Sequence, residues 1–356
     1  MSEEVDARIH QTYRLVKRLG RGSYGIVWRA EDKATGEVVA IKKCFDCFQN
    51  GTDSQRTFRE ISLLKQLNGH PNIVQLYDVV PAQSGRDMYI VCEFMDTDLG
   101  AMIRGNLLQP VHAKYVTYQL LAAAKFMHSA GVVHRDIKPA NILIDGNCRI
   151  KVCDFGLARL LVTGPQNSLT TYVATRWYRA PEILLSHSQY GFPVDLWAIG
   201  AIVAEMLQGK PLFPGTSSLD QLERIIQVTG WPGVSDSFEG HRLLSQINSR
   251  VEIKALCEIL PKASTDALDF LRLVLALEPE RRATAAEAIM HPFLIEFRTG
   301  QEPDCMRPVA VSVDDNLKLK PEQYQNILYR DLERRDLERR DLERRAHERH
   351  TLFSEA

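Results

Sequence analysis

His134-Arg135-Asp136-Ile137-Lys138-Pro139-Ala140-Asn141 decides the fold, because three of its side chains suit phosphoryl transfer and none of the three answers a structural need. Asp136 is placed to accept the proton of an attacking hydroxyl. Lys138, two residues on, can neutralise phosphate charge, and Asn141 can offer an oxygen to a magnesium ion. One such octapeptide can arise by chance, so its neighbours matter. Gly20-Arg21-Gly22-Ser23-Tyr24-Gly25-Ile26-Val27 and Val39-Ala40-Ile41-Lys42 precede it, and Asp154-Phe155-Gly156 and Ala180-Pro181-Glu182 follow it. The glycines alone are as well explained by a hairpin turn as by a loop whose amides close over phosphate oxygens. Lys42 downstream tips that balance, and Glu60, on a helical pattern with Phe58, Ile61 and Leu64, supplies the carboxylate Lys42 needs.

Taken in order, these motifs resemble those of eukaryotic protein kinases, over residues 13–294. The resemblance implies an α+β, two-lobe fold. A five-stranded small lobe with one main helix would occupy residues 13–93, and a larger, mainly helical lobe would occupy 94–294. An activation segment at 154–182 and a helical insert at about 230–262 belong to the second lobe. The cofactors implied are ATP and Mg2+. Catalysis would fall to Asp136, Lys138, Lys42 and Glu60, and the metal to Asn141 and Asp154. Nucleotide contacts are implied at Gly20, Arg21, Gly22, Ser23, Gly25, Val27, Ala40 and Lys42. Glu93 and Met95 would meet the adenine edge and Asp98 the ribose, although Asp98 also suits a helix N-cap. Cys92 would be the gatekeeper, Asp195 the brace of the catalytic-loop backbone, and Glu182 with Arg282 a buried ion pair.

Thr170-Thr171-Tyr172, ahead of Val173-Ala174-Thr175-Arg176-Trp177-Tyr178-Arg179, resembles the Thr-x-Tyr lip of mitogen-activated protein kinases. Asp53-Ser54-Gln55-Arg56-Thr57-Phe58-Arg59-Glu60 and Glu93-Phe94-Met95-Asp96-Thr97-Asp98-Leu99 look closest to the atypical, self-activating extracellular-signal-regulated branch. This resemblance implies phosphosites at Thr170 and Tyr172. The first phosphate would gather Arg56, Arg59, Arg135 and Arg159, closing the lobes and turning Glu60 toward Lys42, and the second would use Arg176 and Arg179. Substrates would be proteins carrying Ser/Thr-Pro sites, and the lip would be phosphorylated by an upstream kinase or by the chain itself. A cyclin-dependent-type kinase and a non-catalytic pseudokinase scaffold are the rival readings. Tyr172 stands against the first, and the full set Lys42, Glu60, Asp136, Asn141 and Asp154 stands against the second.

Composition agrees with a large globular catalytic chain. Its 356 residues are 45% hydrophobic and 25% charged, enough for a sizeable core. A net charge of -1 provides no whole-chain field toward nucleic acid or anionic membrane, so neither is expected as a partner and a monomer is expected. Seven cysteines without framework spacing suit a reducing compartment, cytoplasmic or nuclear. Cys44 and Cys47 have no answering pair for zinc. The acidic opening Met1-Ser2-Glu3-Glu4 gives no expectation of a leader or of myristoylation. The apolar run 196–207 is shorter than the roughly 20 residues a bilayer span needs and reads as a buried helix.

Residues 1–12 read as an extension. Residues 295–329 are expected to return along the small lobe with a strand, and an acidic docking cluster is expected at 297–304. Only Glu302 and Asp304 are acidic there, which leaves docking of basic peptides in doubt. At 331–345, Asp-Leu-Glu-Arg-Arg repeats three times with acid and base at i,i+4, which predicts an exposed single helix over 330–350, followed by a tail at 351–356. A five-residue period turns each Leu by about 140° from the last, so no coiled-coil seam forms.

Overall fold

The computed structural model describes residues 4–22, 25–161, 176–185, 190–231, 247, 251–307, 309–314 and 317–354. It is α+β and divides into two compact units. The first comprises Met1–Ser62, Leu76–Phe94 and Val313–Ala356, and the second Leu63–Gln75 and Met95–Ser312.

The first unit opens with α1 (Ala7–Thr12), continues through β1 (Tyr13–Gly22), β2 (Gly25–Asp32) and β3 (Val38–Cys44), and enters α2 (Gly51–Leu67). It resumes with β4 (Leu76–Pro81) and β5 (Met88–Glu93). The strands form one antiparallel sheet in the order β1-β2-β3-β5-β4. Side chains alternate along β3, so Val39, Ile41 and Lys43 share one face and Ala40 and Lys42 the other.

The face bearing Val39 and Ile41 packs with Tyr13, Ala30, Tyr89 and Val91, and Ile9 of α1 seals it. Burying an isoleucine this fully contributes about 2 kcal/mol. The segment before α1 is fastened by polar contacts as well. The Asp6 amide donates to the Tyr89 hydroxyl at 3.0 Å, and Lys43, 3% exposed, donates to the Glu4 carbonyl at 2.6 Å while pairing with Asp87 at 3.2 Å. Ile9 thus belongs to this unit's core and Glu4 and Asp6 are fastened to its sheet, roles their sequence did not announce.

The second unit holds β6 (Thr97–Asp98), α3 (Leu99–Arg104), α4 (Pro110–Ser129) and β7 (Val132–Val133), then β8 (Ile142–Ile144), β9 (Ile150–Val152) and β10 (Arg159–Leu160). Helices α5 (Pro181–Leu184), α6 (Pro193–Gln208), α7 (Ser218–Thr229), α8 (Leu256–Ile259), α9 (Thr265–Val274) and α10 (Ala285–Ala288) complete it. The apolar run expected to be buried is α6, whose residues Val194 to Met206 are all buried. Gly200 lets it approach α9, since a Cβ there would meet Val274 Cγ2 at 2.7 Å. No described helix is long and apolar enough to cross a membrane.

Two expectations for the carboxy-terminal part are corrected. No strand occurs among the described residues of 295–329; that stretch is irregular until Pro321, where α11 (Pro321–Ser354) begins. This helix takes in the repeats but starts before residue 330 and ends after 350, because Tyr324 and Leu328 bury an apolar stripe ahead of the charged repeat. Of the expected insert at 230–262, the described part contains α8, and residues 232–246 and 248–250 lie outside the described residues.

Candidate active site

In the second unit the catalytic octapeptide runs from β7 through a single 3-10 turn (Pro139–Asn141) into β8. Its backbone is strained at Arg135, where φ is 68°, a cost that surrounding bonds must offset. Asp195, 1% exposed at the start of α6, accepts from the amides of His134 and Arg135 at 2.9 Å each and lies 3.0 Å from His128 Nε2. Burial works against its charge, but the bonds from His128 and His134 outweigh it and hold the carboxyl below its ordinary value. His134, fully buried, packs edge-on to Phe155 at 4.9 Å and bonds to the Cys153 carbonyl at 3.1 Å.

This frame presents Asp136, itself 7% exposed. Lys138 Nζ donates to Asp136 Oδ2 at 2.7 Å, and Asn141 Nδ2 donates to the same oxygen at 3.0 Å and to the Asp136 carbonyl at 2.9 Å. Both side-chain donors fall on Oδ2, so Oδ1 is the oxygen neither engages. Asn141 spends its amide nitrogen on these bonds, which turns its Oδ1 into the end left for a cation. The β8–β9 hairpin then carries the second ligand candidate to it. Ile142 pairs with Val152, and Cys153 N donates to the Asn141 carbonyl at 3.0 Å, so Asp154 is the next residue along. Asp154 is left-handed (φ 62°), the second strained residue of the unit's site.

Two protein oxygens suit Mg2+, which is usually held by one or two side chains with phosphate and water completing six positions. Among the described residues no cluster of three or more His, Cys, Asp or Glu could hold a metal ion.

The first unit carries the lysine pair. Lys42 Nζ lies 2.6 Å from Glu60 Oε1, with Glu60 6% exposed on α2. Val27 stands opposite Lys42, and Ala40 opposite Cys92, in the sheet register. Burial pushes the Cys92 thiol up to about 12, so it stays a neutral, unreactive thiol.

The glycines have different reasons. A Cβ on Gly25 would sit 2.1 Å from the Lys43 carbonyl, so Gly25 is required by strand contact, whereas Gly20 and Gly22 face open space. Arg21 pairs with Ile26 on the same hairpin, and Ser23 lies outside the described residues. Glu93 ends β5, and Met95 follows it in the chain. Asp98 caps α3, accepting from Ala101 N at 2.9 Å, as its alternative reading anticipated.

Cys47, buried, donates to the Cys44 carbonyl at 3.2 Å, and burial raises its thiol. Neither cysteine belongs to a metal cluster among the described residues.

Thr170 and Tyr172 lie outside the described residues. Their expected arginines fall in groups. Arg56 and Arg59 are on α2. Arg135 stacks over Tyr190 at 5.2 Å, and Arg159, on the strand paired with Val133, acts on the same ring. Arg176 lies close enough to Arg179 to add to the effect of burial in lowering the latter's pKa. Sequence reasoning missed Tyr190.

It also missed Glu205, a buried acid of α6 that accepts the Tyr178 hydroxyl at 2.7 Å. That bond, with Trp177 Nε1 to the Gly215 carbonyl at 3.2 Å and Arg176 Nη1 to the Thr216 carbonyl at 3.1 Å, fastens residues 176–178 to α6 and to the loop before α7. Arg282 holds Glu182 with bonds of 2.6 and 2.7 Å, as the resemblance implied. Of the two acids expected to dock partners, Glu302 accepts from Tyr118 at 2.7 Å and Asp304 pairs with Lys125 at 3.1 Å. Both have partners within the unit.

A profile of the protein kinase domain matches residues 13–294. Extracellular signal-regulated kinase 2 of Dictyostelium discoideum is 47% identical over 93% of this chain and 92% of its own length. Mitogen-activated protein kinase 15 of Xenopus laevis is 48% identical over 92% of the chain, which spans 58% of that protein. Extracellular signal-regulated kinase 7 of Drosophila melanogaster is 44% identical over 92% of the chain, which spans 37% of it.

Proposed function

The chain belongs to the protein kinase family, as a serine/threonine kinase of mitogen-activated type, and on that premise we propose that it phosphorylates Ser or Thr followed by Pro and places the first phosphates on its own lip. The observation that carries the catalytic reading is the Asp136–Lys138–Asn141 constellation, in which one carboxylate oxygen is held by two donors and the other remains to accept a hydroxyl proton.

Bound ATP would supply the transferable phosphoryl group, and magnesium would neutralise charge on its phosphates. Lys42, held by Glu60, would grip its phosphates, and Asn141 with Asp154 would hold the metal. Lys138 offers positive charge beside Asp136, where negative charge develops as the hydroxyl attacks. Proline direction is supported by the anchored 176–178 stretch, which follows directly on Val173-Ala174-Thr175 and resembles a lip that disfavours any following residue offering an amide. Proline has no N–H to leave unpaired. Self-phosphorylation is supported by the likeness of Asp53-Ser54-Gln55-Arg56-Thr57-Phe58-Arg59-Glu60 and Glu93-Phe94-Met95-Asp96-Thr97-Asp98-Leu99 to the self-activating branch.

A peptide array is expected to show a strong step at the position after the acceptor, and equal rates for Pro and Ala there would refute proline direction. Radiolabel from ATP is expected on Thr170 and Tyr172 in the purified chain alone; label appearing only after a second kinase is added would refute self-phosphorylation. Arg59→Ala and Arg179→Ala are each expected to lower the activity of doubly phosphorylated enzyme far more than that of unphosphorylated enzyme.

A further inference from the structure

Arg135, the neighbour of Asp136, is held at its backbone and at its side chain. Its amide donates to Asp195 Oδ1 at 2.9 Å, and its guanidinium donates to the Leu157 carbonyl at 3.3 Å while lying over the Tyr190 ring, 5.2 Å from the centroid. Leu157 closes the 3-10 turn Phe155–Leu157 that follows Asp154. One side chain thus joins the backbone beside the candidate base to the turn beside the candidate metal ligand. Tyr190 stands just ahead of α6 and is half-buried.

Two positive groups converge on this ring. Arg159 sits on β10 opposite Val133, and its charge and that of Arg135 both act on the Tyr190 hydroxyl. Burial outweighs them and raises the phenol above its ordinary value, so Tyr190 carries no negative charge at neutral pH. What it offers Arg135 is the electron-rich face of a neutral ring, an attraction that strengthens where water is excluded. The nearby carboxylate of Asp195 is already engaged by the amides of His134 and Arg135.

We propose that Tyr190 is a positioning residue that holds the Arg135 guanidinium in place before the lip carries phosphate; this rests on the phosphoryl-transfer reading and on a Thr170 phosphate taking Arg135 afterwards. The need is physical. Arg135 and Arg159 are like charges expected to share one phosphate, and until it arrives they repel one another. The backbone of Arg135, at φ 68°, is a strained conformation that surrounding contacts must maintain. The ring supplies such a contact in an unmodified chain. A phosphate, with three strong acceptor oxygens, supersedes it once added. Tyr190 therefore matters to the unmodified enzyme and little to the modified one.

The test compares full-length variants in two forms, phosphatase-treated and doubly phosphorylated. The second form is made by incubation with ATP or, where the chain does not label itself, with an added upstream kinase. Tyr190→Leu is expected to lower the initial kcat/KM for peptide about tenfold in the phosphatase-treated form and by less than about twofold in the doubly phosphorylated form. Tenfold is about 1.4 kcal/mol, within the range a partly desolvated cation–π contact supplies. Tyr190→Phe retains the ring face and is expected to keep at least about half the parent rate in both forms. Equal losses for Tyr190→Leu in the two forms would show an ordinary packing residue and overturn the proposal, as would a parent-like rate in the phosphatase-treated form. If Tyr190→Leu fails to fold, Tyr190→Met carries the same comparison with the same expectations.

Hydrogen exchange of amides 155–159 reads the contact without turnover. In the phosphatase-treated chain, exchange there is expected to quicken in Tyr190→Leu, because Arg135 no longer holds the Leu157 carbonyl, and an unchanged pattern would overturn the proposal whatever the peptide assay shows. A parent chain that phosphorylates no peptide while the variant shows that faster exchange would instead overturn the phosphoryl-transfer reading alone.

Discussion

Replacing Glu182 with Gln is expected to cost about 3–5 kcal/mol of stability, because it leaves a guanidinium buried without its counter-charge. The pair is bidentate, at 2.6 and 2.7 Å, with the Arg282 side chain 0% exposed and that of Glu182 4%. Two unit charges at this separation attract by about 6 kcal/mol at an effective dielectric of about 20, and removing each from water costs several kcal/mol, so the intact pair is close to neutral overall. Breaking it is another matter. Arg282 would keep the carbonyls of Ala276, Leu277 and Pro193 and the ring of Trp197, none of which carries charge. Arg282→Met should cost a similar amount from the other side. Glu182→Leu combined with Arg282→Met removes both charges and is expected to be less destabilised than either charge-breaking single variant. Thermal unfolding is the assay, with midpoints lowered on the order of 10 °C for the single variants. Additive losses in the double variant, or a Glu182→Gln midpoint within roughly 1 °C of the parent, would refute this account.

Asp136→Asn is expected to lower kcat by about 10²–10⁴-fold with little change in unfolding midpoint, and a parent-like rate would exclude Asp136 as the base. His70 should make stability pH-dependent. Burial, aided by Lys151, lowers its pKa from 6.5 to about 4, and its Nδ1 accepts from Asn72 N at 3.1 Å, a bond that protonation at Nδ1 would break. The fold therefore favours neutral His70: the contribution, about 3 kcal/mol, is present above pH 6.5 and lost as pH falls toward 4. His70→Asn, which keeps an acceptor but does not titrate, should flatten urea-unfolding stability across that window, and an unchanged slope would count against it. Glu302 acts lower on the scale. Burial raises its pKa, but bonds from Tyr118 and Thr299 outweigh it and hold the carboxyl at about 2, so its contribution is present above 4.5 and lost as pH falls toward 2. Glu302→Gln should remove that part of the acid-unfolding limb, and an identical limb would show that the bonds do not form in solution.

The residues proposed to carry the chemistry were legible in the chain because they stand at short, fixed spacings. Asp136, Lys138 and Asn141 meet within one turn of backbone, and Asn141 and Asp154 are joined by a single hairpin, so motif order was enough to name them. The five-stranded sheet, the buried α6 and the Glu182–Arg282 pair were likewise expected, the last through resemblance. Other partners were not, since nothing local marks them. Glu4, Asp6 and Ile9 read as an ordinary extension until they are found on Lys43, Tyr89 and the sheet core respectively. Glu205 looks like any polar residue of an apolar helix until Tyr178 arrives. The carboxy-terminal helix was visible as a charged repeat, but its start at Pro321 and its hold on Phe58 were not, because one buried tyrosine and one leucine carry no pattern that names their neighbour. Chemistry at a site demands particular atoms at particular chain separations, and those the amino-acid sequence writes directly. Burial demands only apolar volume or a satisfied polar atom, and which distant segment supplies it is decided when the chain packs.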